Sequence, residues 1–124
     1  MVSGLMKRLL QAEGLALFAA SLVAFRELDV SWWMYAALFF VPDVAFAAFL
    51  AGPRIGAIAY NTLHSTIGPL ALAGFAWAVD GRGILGQILL ATAVIWIGHV
   101  GFDRMLGYGL KYASGFKDTH LGKL

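Results

Sequence analysis

The sequence predicts an all-α membrane protein, a single domain folded as an antiparallel bundle of four transmembrane helices. Three observations predict it. Sixty per cent of the 124 residues are hydrophobic and only 13% are charged, against about 25% charged in an ordinary soluble domain. The mean hydropathy is +0.78. Four stretches approach the roughly 20 apolar residues that cross a bilayer core. A soluble chain of this length cannot hide so much apolar surface. A secreted domain, a disordered chain and an ordinary soluble enzyme are thereby excluded.

The first span is expected from about Leu9 to Phe25, the second from Trp32 to Ala51, the third from Ile55 to Val79 and the fourth from Ile84 to Leu106. Arg26-Glu27-Leu28-Asp29 is a polar loop after the first. Gly52-Pro53-Arg54 is a tight turn with proline where a new helix starts. Asp80-Gly81-Arg82-Gly83 is a glycine-rich turn. Connections this short join antiparallel neighbours. Lys7 and Arg8 give the first span a basic start, but no small-residue cleavage site leads into a soluble domain, so it reads as a span and not as a signal peptide. The tail 107–124 is too polar to span again. It carries Tyr108, Leu110, Tyr112 and Phe116 among basic residues and is expected to lie along the inner surface or fold back over the bundle.

Orientation follows from the basic residues. Lys7, Arg8, Arg54, Arg104, Lys111, Lys117 and Lys123 fall on one side, and Arg26 and Arg82 on the other. This bias puts both termini in the cytoplasm of a multi-pass protein. Trp32, Trp33 and Trp77 then sit near the outer interface, and Tyr108 and Tyr112 near the inner one. The net charge of +2 belongs to this topology. The basic residues form no stripe, so no nucleic-acid partner is expected. The chain has no cysteine, which removes disulfides, thiolate ligands and cysteine nucleophiles. A metal would need histidine and carboxylate ligands.

The informative residues are polar groups inside the spans: Glu13, Asp43, Asn61, His64, His99 and Asp103. Charged groups there are costly and face the bundle interior. Counting from the cytoplasmic ends at about 1.5 Å per residue, Glu13 lies roughly 6 Å deep, Asp43 roughly 12 Å, Asn61 and His64 roughly 9 and 14 Å, and His99 and Asp103 roughly 10 and 5 Å. All six fall in the cytoplasmic half although the helices alternate in direction. Asn61, His64, Ser65 and Gly68 are spaced to share a face of the third helix, and His99 and Asp103 are four apart on the fourth. Ala16, Ala20 and Ala24 follow Glu13 at helical spacing and suit close helix approach. Pro42 should free the carbonyl of Leu38, and Pro69 that of Ser65, each kinking its helix. Bland readings stand beside these: Glu13 as an interfacial carboxylate, Asp103-Arg104 as a boundary ion pair, and Asn61 with His64 as an interhelical hydrogen-bond pair. Asp43 has no neutralising neighbour in sequence and needs a partner from another helix.

Glu13-Gly14, Pro42-Asp43, Gly52-Pro53-Arg54-Ile55-Gly56, Tyr60-Asn61 with His64, and Pro69 form one pattern. It continues through His99-Val100-Gly101-Phe102-Asp103-Arg104-Met105-Leu106-Gly107-Tyr108-Gly109-Leu110-Lys111-Tyr112 and the tail 115–122. It resembles a family of small bacterial membrane proteins catalogued as domain of unknown function 4260. The resemblance covers nearly the whole chain. It implies a four-span protein of the bacterial inner membrane and brings no activity with it. Ala45 stands where the family pattern suggests a small hydroxyl residue. Asp118 and His120 are placed to cap the inner mouth of a pocket.

The function expected from these residues is a membrane-embedded acid–base enzyme acting on a small lipophilic, isoprenoid-like ligand. Asp43 or Glu13 would act as acid and His64 or His99 as base, oriented by Asn61 or Asp103. Three alternatives stay open: a metal or haem site on His64 and His99, a proton-linked transporter that works as a homo-oligomer through Gly52 and Gly56, and a structural accessory subunit. The sequence names no cofactor.

Overall fold

The computed structural model describes residues 4–112 and 117–123. Helix α1 spans Gly4–Glu27, α2 Trp32–Leu38, a 3-10 helix Val41–Ala51, α3 Pro53–His64, α4 Ile67–Asp80 and α5 Ile84–Leu106. Two short strands, β1 at Asp118–Thr119 and β2 at Gly122–Lys123, pair antiparallel in the tail. Gly4–Glu27, Trp32–Ala51 and Ile84–Leu106 are long and apolar enough to cross a membrane, and Ile67–Asp80 is a shorter apolar helix. Large apolar side chains face outward throughout. Leu50 is 93% exposed and Trp33 83%, which suits lipid and not water.

Helix α5 is the spine. It packs against α1 on one side and α4 on another, while α3 packs on the 3-10 helix. The α1–α5 contact depends on missing side chains. A Cβ at Gly14 would stand 2.6 Å from the Gly101 carbonyl oxygen, and one at Gly101 would stand 2.7 Å from that of Gly14. Two turns along the same face, the Ser21 and Tyr35 hydroxyls meet at 2.6 Å against Gly98. The Ala16, Ala20 and Ala24 stripe is exposed instead. The sequence contains two small-residue stripes, and the one that allows backbone contact is the glycine stripe. Phe25, Tyr35, Phe39, Ala91 and Ile95 form the adjoining apolar core.

Two prolines act differently from the kinks expected of them. Pro42 ends α2 four residues earlier, and the Asp43 N–H donates to the Phe40 carbonyl at 3.0 Å. The chain continues as a 3-10 helix of 11 residues, far longer than the three or four residues usual for that form. A 3-10 helix advances about 6 Å in three residues, and an α-helix about 6 Å in four. Side chains at i, i+3 and i+6 of one therefore stay level with i, i+4 and i+8 of the other. Asp43, Phe46 and Phe49 face His64, Tyr60 and Gly56 in that order. Asp43 lies 3.2 Å from His64, Phe46 stacks on Tyr60 at 5.5 Å between centroids, and Phe49 fills the space over Gly56. Gly56 thus serves packing inside the chain.

The expected third span is two helices. The α3 helix stops at His64, Ser65 is extended, and α4 begins at Ile67. Pro69 sits in the first turn of α4, where its missing N–H costs no helical bond. The break lets α3 follow the 3-10 helix while α4 follows α5. Ser65 and Gly68 accordingly leave the face that holds Asn61 and His64. Gly68 makes room for the Trp96 ring.

Gly14→Leu is expected to destabilise the protein by about 1–3 kcal/mol or more through overpacking, while Ala20→Leu on the exposed stripe stays near neutral. Thermal unfolding in detergent compares the two directly. Equal effects would show that the glycine contact does not govern α1–α5 packing.

Candidate metal centre between three helices

Four of the six singled-out polar residues come together. Asp43 starts the 3-10 helix, His64 ends α3, and His99 and Asp103 lie one turn apart on α5. The two Nε2 atoms are 3.1 Å apart. His64 Nε2 lies 3.2 Å from Asp43 Oδ1 and 3.4 Å from Asp103 Oδ2. His99 Nε2 lies 3.2 and 3.3 Å from the same oxygens. All four atoms fall within 4.8 Å of one another. The histidine side chains are 3% and 1% exposed, Asp103 13% and Asp43 31%.

The protons of this cluster can be counted. His64 Nδ1 is 2.9 Å from the Tyr60 carbonyl oxygen. A carbonyl only accepts, so Nδ1 carries the hydrogen and a neutral His64 presents a lone pair at Nε2. That lone pair faces two carboxylate oxygens and a second imidazole nitrogen. One proton on an Nε2 satisfies one carboxylate contact, and pairing both carboxylates takes a proton on each Nε2. His99 Nδ1 is, among the described residues, a buried polar atom with no hydrogen-bond partner. The Phe39 backbone is among the groups that interact with His99. In a 3-10 ladder the Phe39 carbonyl would take its hydrogen from residue 42, and Pro42 has none to give.

The break in the third span is held by α5. Trp96 Nε1 donates to the Leu63 carbonyl at 2.6 Å, and Arg104 Nη2 donates to the His64 carbonyl at 3.0 Å. These are carbonyls of the last turn of α3, which no helical N–H reaches. The same helix thus supplies two cluster residues and caps the helix that brings a third. Arg104 is used as this cap, which replaces the simple Asp103-Arg104 boundary pair as its role. The rings are clamped too. Tyr60 stacks on His64 at 3.8 Å between centroids, and Phe39 meets His99 edge-on at 5.3 Å.

Glu13 and Asn61 stand apart from the four. Glu13 is exposed on the outward face of α1. Asn61 reaches the tail: its amide donates to the Lys111 carbonyl at 2.8 Å and its oxygen accepts the Lys111 N–H at 2.7 Å. It mimics a neighbouring strand and folds the tail back over the bundle, one of the two placements the sequence allowed. Lys111 is buried, with its Nζ 4.6 Å from the centre of the Tyr60 ring. Burial pushes its ammonium below the usual lysine value, against the pull of Asp103. His120 also binds the tail to itself. Its Nδ1 accepts the Leu110 N–H at 2.9 Å, and its own N–H donates to the Leu110 carbonyl at 3.0 Å. Leu121 and Thr119 beside it are fully buried. The Asp118 side chain, the other expected cap, lies outside the described residues. Trp96, Tyr60 and Lys111 were not singled out from the sequence as site residues. The Trp96–His99–Asp103 spacing was a signal for the first, the i, i+4 spacing of Tyr60 and His64 for the second, and Lys111 was marked only as part of the family pattern.

Fold and site together define a helical protein of membrane-type composition that encloses a histidine–aspartate cluster. The sequence model of the family described as Domain of unknown function (DUF4260) matches residues 7–124, and the chain belongs to that family. Comparison with curated proteins gave no match, and comparison with solved structures gave none.

Two outcomes are expected for the tail. Asn61→Leu removes the two hydrogen bonds from Asn61 to the Lys111 backbone, a loss of about 1–3 kcal/mol for tail docking. Limited proteolysis should then cut the tail faster while α1–α5 stay intact. Burial, with the nearby Arg104 charge, holds His120 below the usual histidine value. The released tail therefore binds a proton more readily than the docked tail. Docking is complete above about pH 6.5 and weakens as pH falls through the lower, docked value. Tail cleavage that rises on acidification, and loses this rise in His120→Gln, checks the sign.

Proposed function

We propose that this protein is a multi-pass membrane metalloprotein whose ion is held by Asp43, His64, His99 and Asp103. The observation that carries the proposal is the shape of the cluster. Ligand bonds of about 2.0–2.1 Å in a tetrahedron place neighbouring ligand atoms about 3.3–3.4 Å apart. The four Nε2–carboxylate distances and the one Nε2–Nε2 distance, five of the six edges, run from 3.1 to 3.4 Å, and all four atoms lie within 4.8 Å of one another. One cation at the centre meets all four lone pairs at once, whereas each proton on an Nε2 serves a single carboxylate contact. It also balances charge. Two carboxylates and two neutral imidazoles sum to the charge that a divalent ion cancels, and burying uncompensated charge among apolar helices is costly.

The donor set of two imidazoles and two carboxylates suits zinc, iron(II), cobalt(II) or manganese(II). The outer contacts support it. The Tyr60 carbonyl fixes the His64 tautomer, as backbone carbonyls do for metal-bound histidine. An ion here would act as a Lewis acid toward a carbonyl or a water. The basic-residue bias supports a topology with the cluster in the cytoplasmic half of the membrane and both termini inside. An acid–base pocket made of the same four groups is the reading that applies without an ion.

Metal analysis of detergent-purified protein should give about one transition metal per chain. Cobalt(II) added to stripped protein should give the intense visible bands of a tetrahedral site. His64→Ala and Asp103→Asn should lose these bands, and Glu13→Ala should keep them. Free metal at 100 times its Kd should add about 2.7 kcal/mol to stability. A folded protein that takes up no metal in any of these tests would overturn the proposal and leave the acid–base pocket.

A further inference from the structure

An apolar cavity of about 290 Å³ lies beside the cluster, lined by Leu38, Val41, Pro42, Leu63, Leu72 and Trp96 among others. Three of the elements that line it also carry the cluster residues. Thr92, Trp96, His99 and Asp103 follow one face of α5 at i, i+4, i+7 and i+11. Trp96 in the cavity wall is therefore about 4.5 Å along the helix from His99 in the cluster. Pro42 precedes Asp43, and Leu63 precedes His64. The polar atoms on the cavity wall are already committed. The Trp96 N–H is held by the Leu63 carbonyl, and the Thr92 hydroxyl donates to the Ile88 carbonyl at 2.9 Å. The cavity thus offers hydrocarbon contact and no free donor. Val41 and Val44 at its edge are 55% and 67% exposed, so it opens sideways, toward the space that lipid would fill.

Asp43 is the most exposed of the four ligands at 31%. It also sits at the start of the 3-10 helix, next to the cavity wall. A tetrahedral centre admits a further ligand by expanding to five positions or by releasing its most exposed carboxylate.

We infer that this centre receives a single-chain amphiphile, its apolar chain in the cavity and its polar head on the ion beside Asp43. The inference rests on the metal reading and adds the ligand class to it. A site that took a small polar ligand alone would have no use for an apolar slot in line with the metal. A site that took a bare hydrocarbon would have no use for the metal.

Alkyl hydroxamates join a metal-binding head to a chain of chosen length. Cobalt-loaded protein in nanodiscs would be titrated with a two-carbon and a ten-carbon hydroxamate, and the visible bands followed. Both should shift the bands, and the longer should bind at least about tenfold tighter. Leu72→Trp fills the cavity from α4 without touching the cluster. It should keep cobalt and the two-carbon affinity and cut the chain-length gain to less than threefold. Val44→Phe, on the exposed edge, serves where Leu72→Trp fails to load cobalt. Equal affinity for the two chains in the unaltered protein would overturn the inference, as would a chain-length gain unchanged in the filled variant. Loaded cobalt whose bands ignore both compounds would overturn it too and leave the metal centre standing. Failure to load cobalt at all would remove the metal reading itself.

Discussion

The structure depends on a match of helical rise. Three residues of 3-10 helix and four residues of α-helix climb the same distance, so two unlike helices can run side by side and stay in step. Here that keeps Asp43 with His64, Phe46 with Tyr60 and Phe49 with Gly56. Had the chain after Pro42 wound as an α-helix, the side chains at i+3 and i+6 would have fallen progressively behind and swung off the shared face. Eleven residues of poorer hydrogen bonding are offset by aromatic stacking and by delivery of a carboxylate to a histidine on another helix. The proline starts this winding by withholding a donor. The same missing donor leaves the Phe39 carbonyl without its 3-10 hydrogen.

A second constraint follows from where the acceptors point. Four lone-pair atoms converge from three elements inside a bundle with little else that is polar. Such an arrangement is costly unless positive charge balances it, from a bound cation as proposed or from protons on the imidazoles. The surroundings are built to hold the four atoms in place. Tyr60 stacks on one ring, Phe39 abuts the other, and α5 caps the broken end of α3 through Trp96 and Arg104. Rigid elements and clamped rotamers are what a preorganised centre requires.

Much of this was legible in the sequence because burial of charge in apolar segments is so costly that its exceptions are informative. Asp43, His64, His99 and Asp103 could be singled out by type and by depth alone. Depth does not give azimuth, which is why Glu13 was grouped with them although it faces outward. Asn61 shares a helical face with His64, but a face is broad enough to serve two purposes, and its partner is the backbone of residue 111. Hydropathy saw the third span as continuous, because Ser65 and Thr66 barely interrupt an apolar run. Only the differing neighbours of α3 and α4 reveal why the helix must stop between them. The alanine stripe on α1 was read as a contact because small residues permit one. Which of two small stripes is used depends on the partner helix, where Gly98 and Gly101 face Gly14 and Ser21.

The distribution of the four ligands along the chain also sets an order of assembly. Asp43 and His64 are in place by the end of α3, His99 and Asp103 belong to α5, and the Asn61 clamp waits for a segment later still. A nascent chain that has reached Asp80 holds half a centre with no caps on α3. The four side chains can converge only after α5 has entered between its neighbours. On the proposed metal reading, capture of an ion would report that α5 is in place, and a chain truncated before it would lack two of the four ligands.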